Sequence, residues 1–158
     1  MGVSFSGDWG RIDKTLGNVA RNLKSETARA IGRGLKKVER RVLGHIDDQD
    51  LDWQELNKDY ADRKDAKGLS PDILRASNAM YQSITTDQPN AWEGMVGVKR
   101  GTKGKDGEEV TDIALIHEQP DDDGTIIPAR KLWAPTFEES KDELAAELSG
   151  TAIKVLKR

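Results

Sequence analysis

Ile12, Leu16, Val19, Leu23, Thr27, Ile31, Leu35, Val38, Val42 and Ile46 recur in steps of three and four residues only. That spacing puts all ten on one face of an α-helix. The first third of the chain is therefore predicted as one amphipathic helix, with Asp8 as its N-cap. At the α-helical rise such a stripe spans roughly 50 Å, more than the width of a small domain. A helix of this length must project from the body or lie along a neighbouring subunit. Gly17, Gly32 and Gly34 interrupt its interior. Each costs about 1 kcal/mol relative to alanine, and a bend is expected near Gly32 and Gly34.

Charge divides the chain at the same place. Residues 1–46 hold ten basic and four acidic side chains, a net of +6, so the net −3 of the whole chain leaves −9 for the rest. The chain is accordingly predicted as a basic helical arm over residues 1–50 and an α+β domain over residues 51–158. A basic arm on an acidic body lets like copies pack arm to body. The candidate interface on the arm is Arg29, Arg33, Lys36, Lys37, Arg40 and Arg41. The same basic face could bind nucleic acid, but it lacks the aromatic stacking groups and base-reading residues of such surfaces.

With 35% hydrophobic and 34% charged residues, the chain is polar for a compact domain. It either has a small core or keeps apolar surface for partners. It has no cysteine, which excludes a disulfide frame, a thiol nucleophile and cysteine-based zinc sites. The opening MGVSFSGDWG has neither the basic nor the apolar region of a signal peptide. No apolar run nears the roughly 20 residues of a membrane helix, so no membrane partner is expected.

Beyond the arm, Asp52 is placed to cap a short helix carrying Trp53, Leu56 and Tyr60. Ser70-Pro71 reads as the start of a second helix through about Thr85, lined by Ile73, Leu74, Met80, Tyr81 and Ile84. Trp53 and Tyr81 are read as core anchors. Trp92–Val98 and Val110–Ile116 read as antiparallel strands joined by the exposed loop KRGTKGKDGEE, and Ile126-Ile127 as a third short strand. That loop lacks phosphate-loop spacing. Asp121-Asp122-Asp123-Gly124 reads as a turn with too few alternating oxygens for calcium. Pro128 fixes the exit direction of Arg130, whose expected partner is a carboxylate on the body or on a neighbouring copy. Arg130 and Trp133 complete the candidate interface. A final helix opens near Pro135, with Gly150 as a kink or early stop.

One order of residues stands out. Trp53-Gln54-Glu55-Leu56 is followed by Tyr60 and Lys64. Ile73-Leu74-Arg75-Ala76 then leads to Ser83-Ile84, Ile113-Ala114-Leu115-Ile116 to His117-Glu118, and Ile127-Pro128-Ala129-Arg130 to Trp133. This order resembles the virion-morphogenesis (tail-completion) proteins of Mu-like tailed phages. The resemblance covers residues from about Leu51 to the C-terminus and, more loosely, the first helix. It departs from the family in having no aromatic before Ala114 and in Gln119-Pro120 where Phe-Gly is common. The resemblance implies a structural protein of the virion, made and assembled in a bacterial cytoplasm. Such a protein sits at the head-proximal end of the tail, as a ring of six copies touching the tail tube and the head-tail connector. DNA enters only as a contact of the ring's lumen. A tail terminator or another neck or minor tail protein is the nearest alternative, and a basic-arm nucleic-acid binder the next.

No catalytic motif is expected. His117-Glu118 matches the start of a zinc-protease helix, but that motif needs a second histidine four residues on, where Asp121 stands after Pro120. The only other histidine is His45, too few for the usual zinc ligands without recruiting carboxylates. No nucleophile elbow is present. A metal-dependent hydrolase built on His117, Glu118 and the aspartate loop is the weakest reading, and no cofactor is expected.

Overall fold

A computed structural model describes residues 7–119 and 127–157. The fold is α+β: a long N-terminal helix, further helices and a two-stranded antiparallel sheet. The elements run α1 (Trp9–Asp48), α2 (Lys58–Ala66), α3 (Ala79–Ser83), β1 (Ile84–Asp87), β2 (Met95–Val98), α4 (Val110–Glu118) and α5 (Trp133–Leu156).

Helix α1 starts as its sequence requires. The Asp8 carboxylate accepts from the Arg11 N–H at 3.0 Å, satisfying an amide that has no partner within the helix. The helix runs without a break through Gly17, Gly32 and Gly34. Gly34 has a packing role. A Cβ there would lie 2.6 Å from Leu144 Cδ2 of α5, so its missing side chain lets the two helices approach closely.

The core is small and sits at the C-terminal end of α1. Val42 and Ile46 of α1 meet Met80 of α3, Ile84 of β1, Val110 and Ala114 of α4, and Leu132 just before α5. Burial of each large aliphatic side chain contributes about 1.5–3 kcal/mol. Trp53 and Tyr81 pack against this cluster, as expected of anchors. The Trp53 indole N–H reaches Lys131 O at 3.0 Å, and the Tyr81 hydroxyl donates to Asp47 at 2.8 Å. The second half of α1 is thus part of the body, and only its first half extends as an arm.

Several expectations fail, each for a local reason. Val110–Ile116 is not a strand but helix α4. Val110 and Ala114, four apart, face the core, whereas Leu115 and Ile116 are exposed. The helix expected from Ser70 to Thr85 shrinks to Ala79–Ser83 and gives way to β1 at Ile84. Ser70 Oγ accepts from the Asp72 N–H, and the Gln49 side chain bonds both N–H and C=O of Ile73. These bonds divert the backbone from a helical ladder, and Leu74 and Asn78 take positive φ of 62° and 59°. The β1 strand pairs with β2 in the register Ile84↔Val98 to Asp87↔Met95. β2 begins only at Met95, because the Asn90 side chain captures the Trp92 N–H and Gly94 passes against Leu35 and Ile31 of α1. The cap of α2 is Asn57, not Asp52: its side chain accepts from the Asp59 N–H at 2.9 Å. α5 continues through Gly150 to Leu156. Ile127 lies in no strand. Ile126 and the Asp121–Gly124 turn fall outside the described residues.

Candidate interaction surface and a cationic cavity

The basic residues of α1 fall into two sets. Arg33, Lys37 and Arg41, spaced by four, face α5. The Arg33 guanidinium pairs with Glu147 at 2.7 Å. The Lys37 ammonium bridges Glu143 at 2.8 Å and Glu147 at 3.1 Å. Arg41 donates to Ser140 at 2.6 Å and pairs with Glu143 at 3.3 Å. His45 closes the row, its Nδ1 2.7 Å from Asp50 and its Nε2 3.2 Å from Glu139. The two helices are therefore antiparallel and laced by opposite charge. Hydrogen bonding to Lys37 holds the Glu143 carboxyl below its usual range, and bonding to Arg33 does the same for Glu147. Bonding to Glu143 and then Glu147 raises Lys37. The chain's own α5 thus takes part of the acidic role expected of a neighbouring copy.

Arg29, Lys36 and Arg40 are exposed. Arg29 pairs with Glu26 and Lys36 with Glu39, while Arg40 donates to its own helix at Lys36 O. Trp133 sits half-buried against the core at the start of α5, so it is an anchor first and an interface residue only by its edge.

The register that sets Arg33 opposite Glu147 and Lys37 opposite Glu143 brings the end of α5 level with about Lys24 of α1. The part of α1 before it extends about 20 Å further. There the apolar stripe is bare: Trp9, Ile12 and Leu16 are 60%, 47% and 63% exposed. Phe137, Ile153 and Leu156 of α5 and Leu115 and Ile116 of α4 are exposed as well.

Glu118, singled out beside His117, is a helix cap. Its Oε2 accepts from the Leu132 and Trp133 N–H groups at 2.8 and 3.2 Å, and its Oε1 from Ala134 at 3.1 Å. A carboxylate on the first amides of α5 also meets the positive end of the helix dipole. No three His, Asp or Glu side chains converge on a metal-sized space among the described residues.

His117 and Arg130 meet instead at a cavity of about 380 Å³ between α2, α3 and α4. The Arg130 N–H donates to His117 O at 2.8 Å. Lys64 of α2 and Arg130 are only 3% and 8% exposed, and both line the cavity. Among the described residues the Lys64 ammonium has one acceptor, the Asp72 carbonyl at 2.8 Å. Burial lowers the Lys64 pKa, partly opposed by the Asp72 carboxylate and reinforced by the nearby Arg130. Burial likewise lowers Arg130. His117 is pushed down to about 4 by burial and then by Arg130, so its ring is neutral at pH 7. Arg130 makes no ion pair among the described residues, and its Nε and His117 Nδ1 have no hydrogen-bond partner. The carboxylate expected opposite Arg130 is thus not supplied by the described part of the body. Sequence reasoning singled out Lys64, His117 and Arg130 one by one. That they converge was hidden by their separation along the chain.

No protein-family model, curated protein or solved structure matches the chain. No described helix is long and apolar enough to cross a membrane.

Proposed function

We propose that this chain is a structural assembly protein of a phage tail, placed at the head-proximal end and acting by protein–protein binding without chemistry. The residue order that resembles the tail-completion family supports this reading. The observation that carries it is the outer part of α1, which displays Trp9, Ile12 and Leu16 to solvent. An amphipathic helix with an unburied apolar stripe is built to be covered by a partner. A ring of six closes through unlike patches, one copy's arm on the next copy's body. The exposed apolar residues of α4 and α5 supply the second patch, and the tail tube and head-tail connector are the outer partners.

Light-scattering mass of the purified protein, with negative-stain images in the presence of purified tails, tests this. Rings, or density added at one end of the tails, support the reading. A monomer that ignores tails and binds arbitrary duplex DNA with steep salt dependence replaces it with a nucleic-acid arm, for which Lys14, Arg21 and Lys24 on the projecting segment are the contacts.

A further inference from the structure

The cavity at Lys64, His117 and Arg130 takes no part in the proposed arm-to-body contact and is argued independently of it, although Arg130 was expected at a subunit interface. Burying a cation is costly unless a counter-charge offsets it; Lys64 and Arg130 line one space at 3% and 8% exposure, and of the two only Lys64 feels a nearby carboxylate among the described residues, that of Asp72. The Lys64 ammonium uses one of its three donors, on Asp72 O. Arg130 has five donors and no ion-pair partner among the described residues, and its Nε is buried without an acceptor. Asp106 and Glu108 also line the opening, and among the described residues neither forms an ion pair with Lys64 or Arg130. The apolar part of the wall is Leu56, Leu69, Leu74, Met80, Val110 and Ile113, and Arg63, Lys67 and Lys105 add further positive charge to the lining. The Tyr60 ring stands at the edge, with the Lys64 ammonium 6.0 Å from its centroid.

We propose that this cavity binds a carboxylate carried on an apolar body. The carboxylate is seated on Arg130 and Lys64, and the apolar body lies against the leucine and methionine walls. The volume suits a ligand the size of a medium-chain or aromatic acid. The planar guanidinium matches a carboxylate in a two-bonded fork. The neutral His117 ring supplies one further polar contact through Nδ1. A phosphate ester brings a second negative charge into an opening that Asp106 and Glu108 also line, which disfavours it against a carboxylate. The same chemistry is offered by a free acid and by an apolar residue at the C-terminus of a polypeptide.

The experiment is a titration of the full chain by calorimetry and by amide NMR. The probes are octanoate, phenylacetate, octanamide, inorganic phosphate, and a short peptide ending in Ala-Leu as acid or amide. The expected result is binding of an acid probe, with shifts at residues 64, 113, 117 and 130, and no binding of octanamide. Saturation by the free acids but not the peptide assigns a small-molecule ligand. Binding of the peptide acid but not its amide assigns a chain terminus. Arg130→Met and Lys64→Met should each weaken binding by roughly ten-fold or more, the loss of one charge-assisted contact. The melting temperature of unliganded Arg130→Met should stay level or rise, because an uncompensated buried charge is removed. The proposal is overturned by silence of the wild-type chain toward every acid up to about 10 mM, a weak limit for pocket ligands. It is equally overturned by phosphate binding as tightly as the acids, or by a fall in melting temperature in Arg130→Met with binding intact.

Discussion

Gly34 of α1 lies so close to Leu144 of α5 that a Cβ at position 34 would stand 2.6 Å from the leucine's Cδ2. Gly44, ten residues on in the same helix, has open space around its Cα. Alanine at an unhindered helical glycine stabilises by about 0.5–1 kcal/mol. Gly44→Ala should therefore raise the urea midpoint. Gly34→Ala gains the same propensity but must push Leu144 aside, and overpacking costs about 1–3 kcal/mol. It should come out neutral or destabilising. Adding Leu144→Ala to Gly34→Ala should return part of the loss, since the two residues touch. Equal gains at both glycines would show that α5 does not sit as described.

Glu118 gives a second prediction. Its carboxylate serves three amides at the start of α5, and loss of such a cap costs about 0.5–2 kcal/mol. Glu118→Ala should lower unfolding free energy by that amount, and Glu118→Gln, which keeps one acceptor oxygen, by less. Helicity measured by circular dichroism should fall only slightly, because core packing still holds α5.

The parts of the fold that were legible in the sequence are those with a period or a cap. The stripe from Ile12 to Ile46 gave α1, Asp8 gave its start, and Trp53 and Tyr81 announced by size that they would pack against the core. Four consecutive apolar residues, Ile113 to Ile116, carry no period, so they read as a strand although they form a helix. The conversion of residues 70–85 from helix to turn, short helix and strand depends on Gln49, a side chain far back in the sequence. The basic face was legible as charge, but charge does not say whose carboxylates will meet it. Arg33, Lys37 and Arg41 found those of their own chain. The cavity left a fainter signal: Lys64, His117 and Arg130 were all marked by the family-like order, but nothing local said that they would meet.

The α1–α5 charge row predicts a pH window. Glu143 and Glu147 have lowered pKa values in the folded chain. Their contribution is present above the unfolded carboxyl value of 4.5 and is lost as pH falls through the folded value. Lys37 is raised, so its contribution is full below 10.5 and is lost as pH rises through the folded value. Stability from this row should be flat between those limits and fall outside them. Glu143 is exposed and Lys37 and Glu147 are half-buried, so salt should blunt both limbs in part. Lys37→Met should flatten the acid limb in urea unfolding followed from pH 3 to 6. An acid limb unchanged by that substitution would place its origin elsewhere.

His117 titrates against a different background. Its folded value of about 4 lies below the ordinary 6.5, so the unfolded chain binds the proton more readily. The His117 contribution to stability is then full above 6.5 and declines as pH falls from 6.5 toward 4. NMR of the imidazole carbons should show one histidine with a midpoint near 4, and Arg130→Met should move that midpoint upward by removing the neighbouring positive charge. A His117 midpoint near 6.5 in the folded protein would mean that the cavity is open to water and its cations solvated.

The last prediction separates folding from assembly. Ile12 and Leu16 are exposed and lie beyond the reach of α5, so Ile12→Glu with Leu16→Glu should leave unfolding free energy within about 0.5 kcal/mol of the parent. If the projecting stripe is the contact to the next copy, the same pair should abolish rings and tail binding, since a buried unpaired carboxylate is far more costly than an exposed one. Charge reversal needs more care. Reversing Arg33 or Lys37 breaks the row with Glu143 and Glu147 inside each copy and confuses the two effects. Arg29→Glu, Lys36→Glu and Arg40→Glu together leave the contacts with α5 intact and disturb within the chain only the i,i+3 pairs with Glu26 and Glu39 and the bond of Arg40 to Lys36 O. Should the stripe variant lose rings and the outward-charge variant keep them, the contact is apolar and α5 has absorbed the electrostatic part of the arm. Should only the charge variant lose them, the outward basic face still meets a neighbour's acidic surface. Rings surviving both sets of changes would remove the arm from the assembly altogether.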